Sequence, residues 1–427
     1  MNTLDRKTPP EYKDISRVNF INPTTYTLSN GLKINVLSGG SQDIVKIDFI
    51  FNAGTWHQKS PLIASSTNNL MKEGTKNFSS FEIIDGIDQY GAFLQTNVDF
   101  DNSNITLYSL NKHLEKVLVY VQDIIFNPTF EQKEFDIYKN NSLEKFKVSL
   151  EKVSYVARKE SMKQIFGADS PYGVGAELID FINLNKKEVI DFHRHNYQLS
   201  NCEVIISGKV SDNCISLLEK YFGGNTTSKA ITSNKEASTT TLSNEPDKIY
   251  VEKKNALQSA IRISKQFPNK LHTDYFGLQI LNTILGGYFG SRLMKNIRED
   301  KGYTYGISSG ILSLQHGGFF YISTEVGSDV TKSALDEIYK EINLLQTEKI
   351  SDEELSLVRN YLMGKILKSC DGPFNMAEMF ENVYFYGLNY DFYNQYIQKI
   401  KTITSEELMN LANKYLVDLK ETVVGKL

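Results

Sequence analysis

The sequence predicts an α+β protein: two similar domains from an internal duplication, each a mainly antiparallel sheet with helices on one face. Three observations carry that expectation. The order of strand-like and helix-like segments in residues 247–427 repeats the order in 24–222. Gly91 and Gly306 each follow a helical region and precede a pair of strands, and they stand 215 residues apart, half of the 427-residue chain. Between the repeats, GGNTTSKAITSNKEASTTTLSNEP (223–246) loses all periodicity and is nearly all Gly, Ser, Thr, Asn and Lys, the composition of a linker. A repeat of this size is a supersecondary unit copied whole, and a chain this long exceeds one ordinary core. The expected layout is an arm (1–23), a first domain (24–222), the linker (223–246) and a second domain (247–427).

The elements follow in order. The arm is polar, carries Pro9-Pro10 and Pro23, and is expected to pack loosely. TYTLSNGLKINVL predicts a hairpin turning at Asn30-Gly31. In IVKIDFIFNAG, Val45, Ile47, Phe49 and Phe51 alternate with Lys46, Asp48 and Asn52, so a half-exposed strand is expected. Helices are expected near 60–72 and 80–90, the second capped by Ser79 or Ser80 and ended by Gly91. AFLQTNVDFDNSNITLYSL gives two more strands. Residues 114–126 are apolar-periodic until Pro128, 131–166 form one long charged helical stretch, 185–196 another helix, and EVIISG a short buried strand. In the second repeat SAIRISKQF corresponds to IVKIDFIFNAG, and TYGISSGI with GGFFYISTEV corresponds to the strand pair of 91–109.

Composition excludes some functions. With 47 basic and 51 acidic residues the formal charge is −4, which argues against a general nucleic-acid binder. Cys202, Cys214 and Cys370 form no C-x-x-C pair, so buried free thiols are expected rather than a disulfide framework. The N-terminus lacks an apolar signal-peptide core, and no apolar run approaches the ~18 residues of a spanning helix. A cytoplasmic location without membrane insertion is the expectation, or a periplasmic one if a leader was trimmed.

Several motifs occur in a telling order: SNGLKINVL, FIFNAG, MKEGT at 71–75, SPYG at 170–173, FHRHNYQLSNCEVIISG, and LGGYFGSRLMKNIREDKGYTYG at 285–306. Together they resemble the pitrilysin/insulinase family of zinc metallopeptidases, which includes the mitochondrial processing peptidases, over nearly the whole chain. The resemblance implies two similar α+β domains facing each other. It also implies a helix of the first half bearing His-x-x-Glu-His before a Gly-Thr pair, with a distal Glu as third zinc ligand. The two imidazoles, one helical turn apart, would bind zinc, and the Glu between them would act as general base on the bound water.

This chain departs from that pattern. Anchored on Gly74-Thr75, the three positions hold Ser65, Asn68 and Asn69. Neutral hydroxyl and amide oxygens are poor zinc ligands, and an amide takes no proton from water near neutral pH. Glu144 is the candidate for the distal carboxylate, although a glutamate on a charged helix is more often a solvated face. His57, His113, His272 and His316 are isolated, and His193 and His195, two apart near a helix end, do not point their rings one way. Structural or surface roles are expected for all six histidines, and no metal or other cofactor in this chain.

The resemblance assigns the substrate-holding Arg and Tyr of the family, seven residues apart, to Arg298 and Tyr305. Without it, Arg298 reads as a helix C-terminal cation and Tyr305 as a strand aromatic, with Tyr303 an equal candidate. An Arg/Tyr half without a zinc half is similar to the non-catalytic subunit of heteromeric family members. The expectation is a chain inactive alone, which lends Arg298 and Tyr305 in trans to a zinc-bearing paralogous partner and peptide substrates. The alternatives are a catalytically inactive assembly or core protein and a stand-alone peptide-binding homodimer.

Overall fold

A computed structural model describes residues 18–224 and 243–426. Most of the expected arm and linker therefore lie outside the described residues. The first half contains β1 (Thr24–Thr27), β2 (Lys33–Ser38), β3 (Ile44–Phe51), α1 (Ile63–Leu70), α2 (Ser80–Asp88), β4 (Phe93–Val98), β5 (Ser103–Leu110), α3 (Leu114–Phe126), α4 (Gln132–Glu151), α5 (Val153–Phe166), α6 (Leu178–Asn183), α7 (Lys186–Asn196), β6 (Cys202–Gly208) and α8 (Asn213–Leu218). The second contains β7 (Lys248–Glu252), β8 (Gln258–Gln266), α9 (Tyr275–Asn282), β9 (Ile307–Leu314), β10 (Gly317–Gly327), α10 (Thr331–Thr347), α11 (Asp352–Ser369), α12 (Gly372–Tyr384), α13 (Asp391–Thr402), α14 (Ser405–Tyr415) and β11 (Lys420–Gly425).

Local signals explain many boundaries. The first hairpin turns at Gly31, whose φ of +89° suits a residue without a Cβ. Asn30 Oδ1 accepts from the Leu32 N–H at 3.1 Å. Ser79 caps α2 in a reciprocal box with Glu82, Asn185 caps α7, and α3 ends two residues before Pro128.

The two sheets carry the duplication. The first has the order β1-β2-β6-β3-β5-β4 and the second β7-β11-β8-β10-β9. Without β1 the orders are the same. The parallel pair falls at the same place in each, β2 with β6 and β7 with β11, and every other pairing is antiparallel. Phe93 and Ile307, which open the equivalent edge strands β4 and β9, are 214 residues apart.

The helices depart from the expected one-face packing. Each sheet keeps its own helices on one face, over cores that include Ile47 and Phe49 in the first half and Ile263 and Ile322 in the second. The other face is covered by a helix from the opposite half. Helix α5 lies on β8 and β11, and α12 lies on β6 and β2. Ala157 of α5 packs with Ala260 and Val424, while Ala377, Phe380 and Val383 of α12 pack with Leu37, Ile50 and Ile205. Burying each large apolar side chain stabilises by about 1.5–3 kcal/mol, so the exchanged helices are integral to both cores.

This exchange corrects three expectations. Residues 131–166 are two helices, broken at Lys152, which is extended (φ −81°, ψ 121°), because α5 must leave the first half to reach the second sheet. Strand β3 is buried on both faces. Lys46 and Asp48 are only 5% and 2% exposed, since α12 covers them and brings Glu378 to 3.8 Å from Lys46. The end of the arm is also not loose: Val18 is buried in the second core, and Phe20 stacks on Tyr390 at 4.6 Å. Cys202 and Cys214 are buried and Cys370 is half-buried, all as free thiols.

Candidate functional site

Two places matter: α1 in the first half, and the segment from Tyr288 to Gly306 in the second. Helix α1 lies against α7 and edge strand β4. Most of its polar groups are committed, although Ser66 Oγ and Asn68 Oδ1 have no partner among the described residues. Ser65 Oγ donates to the Leu62 carbonyl at 3.0 Å and Asn69 Nδ2 to the Ser65 carbonyl at 2.8 Å. Asn68 is fully buried and donates through Nδ2 to the Tyr197 hydroxyl at 3.1 Å. Tyr197 packs in turn on Phe51 (4.9 Å) and His193 (5.6 Å). Burial pushes the Tyr197 phenol up to about 12, so it stays neutral beside the amide.

These residues do not fit zinc. Glu144 is exposed on α4 and pairs with Lys147 at 2.8 Å, on the solvated face its composition suggested. Among the described residues no group of three His, Cys, Asp or Glu side chains is placed to hold a metal ion. His193 is buried and bonds the Ile125 carbonyl through Nε2 at 2.9 Å, and burial lowers its pKa to about 4. It is a neutral packing residue.

The second place is built differently. A wound turn, Met294–Asp300, ends at Gly302, whose φ of +66° reverses the chain. The Tyr303 N–H then bonds the Ile297 carbonyl at 3.0 Å. Thr304 Oγ1 pins the loop to β10 by donating to the Glu325 carbonyl at 2.8 Å. Neighbouring tyrosines therefore part: Tyr303 packs on the second core, and Tyr305 is 94% exposed. Arg292 is held by a bidentate pair to Glu354, both contacts 2.8 Å. Arg298 instead lies 4.7 Å over the ring of Phe289, itself well exposed. A guanidinium over an aromatic ring thus stands at the wound turn, and an exposed phenol follows the loop fixed at Ile297 and Thr304. Phe289 is the member that the sequence reading missed, and its signal, an apolar residue between glycines in GGYFG, was weak.

Residues 41–169 match the insulinase (peptidase family M16) model, and residues 183–362 match that of the peptidase M16 inactive domain. The chain belongs to the insulinase family. Within it, the chain is 23% identical over 356 residues to an uncharacterized zinc protease, YmxG, of Bacillus subtilis, covering 81% of this chain and 84% of that one. It is 21% identical over 365 residues to a non-peptidase homolog of Helicobacter pylori, covering 83% and 82%. The crystal structure of a peptidase M16 inactive domain from Pseudomonas fluorescens superposes with a TM-score of 0.84 at 22% identity, over 95% of this chain and 98% of that one. This insulinase-family member has the family fold, and Ser65, Asn68 and Asn69 stand where the resemblance places the zinc ligands and the base. None of its described helices is long and apolar enough to cross a membrane.

Proposed function

We propose that this chain is the non-catalytic subunit of a heteromeric zinc metallopeptidase and supplies Arg298 and Tyr305 in trans to a zinc-bearing paralogue. One observation carries the reading: the Arg298 and Tyr305 side chains make no ion pair or hydrogen bond among the described residues, while at the zinc positions on α1 Ser65 and Asn69 are bonded to their own helix and Asn68 to Tyr197. An exposed phenol and a half-buried guanidinium can donate to the carbonyl of a bound peptide, and to the oxyanion that develops on it. The peptide would be held as an added strand, since edge strands such as β4 offer main-chain hydrogen bonds without sequence demands.

The test mixes this chain with its zinc-bearing paralogue. Peptide hydrolysis is expected to exceed that of the paralogue alone by orders of magnitude. Arg298→Ala or Tyr305→Phe should each cost about a hundredfold, roughly 3 kcal/mol, with the complex intact by gel filtration. Tyr303→Phe serves as the control. Unchanged turnover in both Arg298→Ala and Tyr305→Phe complexes would replace this reading with that of an assembly protein.

A further inference from the structure

In the second half, α9 and the wound turn after it (Thr283–Gly287) lie against edge strand β9, as α1 lies against β4 in the first. Gly286 of the turn packs closely on Ser309, and a space remains beside the segment. A cleft of about 1170 Å³ runs between this segment, β9 and the exposed side of α11. Ser309, Gly310 and Ile311 of β9 line it, and β9 pairs only with β10, so its outer edge has no strand partner among the described residues.

Three further features point to a ligand. Asn282 lines the cleft, is 9% exposed, and its Oδ1 accepts no hydrogen bond among the described residues. A buried carbonyl oxygen in that state is costly unless a donor arrives. Lys365 and Lys368, one turn apart on α11, also line the cleft, and neither has an ion-pair partner among the described residues. Glu378, the one acidic group lining the cleft among those residues, is drawn to Lys46 at 3.8 Å. Gly364, beside Lys365, also lines the cleft, and an added Cβ there would meet nothing within 4 Å. Glycine is a poor helix former, and here the missing side chain leaves the cleft its room.

We propose that this cleft is a second binding site, which takes the carboxy-terminal end of an extended peptide. The peptide main chain adds to the outer edge of β9. One of its N–H groups reaches Asn282 Oδ1, and its terminal carboxylate meets Lys365 and Lys368. The lysines sit near the C-terminal end of α11, where the helix offers an anion no help, so the two charges carry the recognition. The proposal deepens the peptide-binding reading above and rests on it for the ligand class only. It needs neither the zinc-bearing partner nor turnover. Each cleavage by a peptidase makes a new carboxy-terminal end, so the site would retain the product on the amino side of the cut.

The experiment uses the full chain alone and two fluorescein-labelled hexapeptides of alternating serine and valine, one ending in a free carboxylate and one in an amide. The free acid is expected to bind at least tenfold tighter by anisotropy, with the difference shrinking as salt rises. Lys365→Gln with Lys368→Gln should bring the acid down to the amide. Gly364→Leu should abolish binding of both, and because it replaces a helical glycine at an open position it should fold as well as the parent. Equal affinity for acid and amide, no binding of either peptide at millimolar concentration, or full binding by Gly364→Leu would each overturn the proposal. Loss of stimulation in trans with intact acid-selective binding would instead sink the reading of Arg298 and Tyr305 alone.

Discussion

Asp48, Lys46 and Glu381 meet where β3 passes under α12. Lys46 Nζ lies 3.1 Å from Asp48, and Glu381 accepts a hydrogen bond from Asn104 at 3.2 Å. One cation cannot fully compensate two carboxylates withdrawn from water. Withdrawal from solvent, with repulsion from Asp48, pushes the Glu381 carboxyl up to about 7. The sign follows from linkage: the folded state holds this proton more tightly than the unfolded chain, where the group titrates near 4.5. Stability from the protonated form is full below that pH and lost as pH rises through about 7. Glu381→Gln should therefore be more stable than the parent by roughly 1–2 kcal/mol at pH 8 and no more stable at pH 4.5. Urea unfolding at the two pH values checks this, and a constant difference would show that the carboxyl titrates normally. Tyr303 and Tyr305 offer a second contrast at this scale. Tyr305→Ala should leave stability within about 0.5 kcal/mol, whereas Tyr303→Ala, which empties a place against the second core, should cost roughly 2 kcal/mol.

Helix α1 carries Ser65, Asn68 and Asn69, the positions that the family resemblance equates with two zinc ligands and a base. Its Ser-x-x-Asn-Asn spacing keeps the helical geometry for two ligands and a base, yet the surroundings have closed on it. Position 68 is fully buried against Tyr197, which accommodates an amide and not an ionised carboxylate. The combined change Ser65→His, Asn68→Glu and Asn69→His should therefore bind well under one zinc per chain by elemental analysis. It should also lower stability by roughly 3 kcal/mol, from Asn68→Glu above all. Stoichiometric zinc in a variant as stable as the parent would show that the pocket still accepts the metal. Elements like α1, α2, α3 and α7 were legible because their signals are local: caps at Ser79 and Asn185, a stop at Pro128, apolar periodicity between. Two short strands were not. β7 and β11 pair with each other across the second half, and neither carries its partner's address in its own residues. The lack of a His-x-x-Glu-His pattern and the seven-residue spacing of Arg298 and Tyr305 can be read directly from the sequence. The outward turn of Tyr305 cannot, since it depends on Gly302 and Thr304 fixing the loop.

At the scale of the molecule, the duplication was legible and the exchange of helices was not. The repeat shows as recurring order, but Lys46 looks solvent-facing until Glu378, 332 residues on, is seen above it. Reciprocal exchange of α5 and α12 means that neither half can bury both faces of its own sheet. Without α12, the first half exposes Leu37, Ile50 and Ile205 together with the ion pair of Lys46 and Asp48. Without α5, the second exposes Ala260 and Val424, and Thr422 loses its 2.7 Å hydrogen bond to Gln164. Uncovered apolar faces of that kind drive association or partial unfolding. Residues 18–224 and 243–426 produced separately should each be loosely packed or aggregated, with weak near-ultraviolet dichroism and binding of a hydrophobic dye. Produced together, the two fragments should co-purify as one well-packed complex, because the contacts that join them are core contacts and survive a cut between them. Changing Phe380→Asp on α12 should abolish that reassembly, while the exposed Tyr305→Asp should not. Two fragments that each fold to a cooperative, monomeric state would show that the exchanged helices are accessories and that the halves are independent domains.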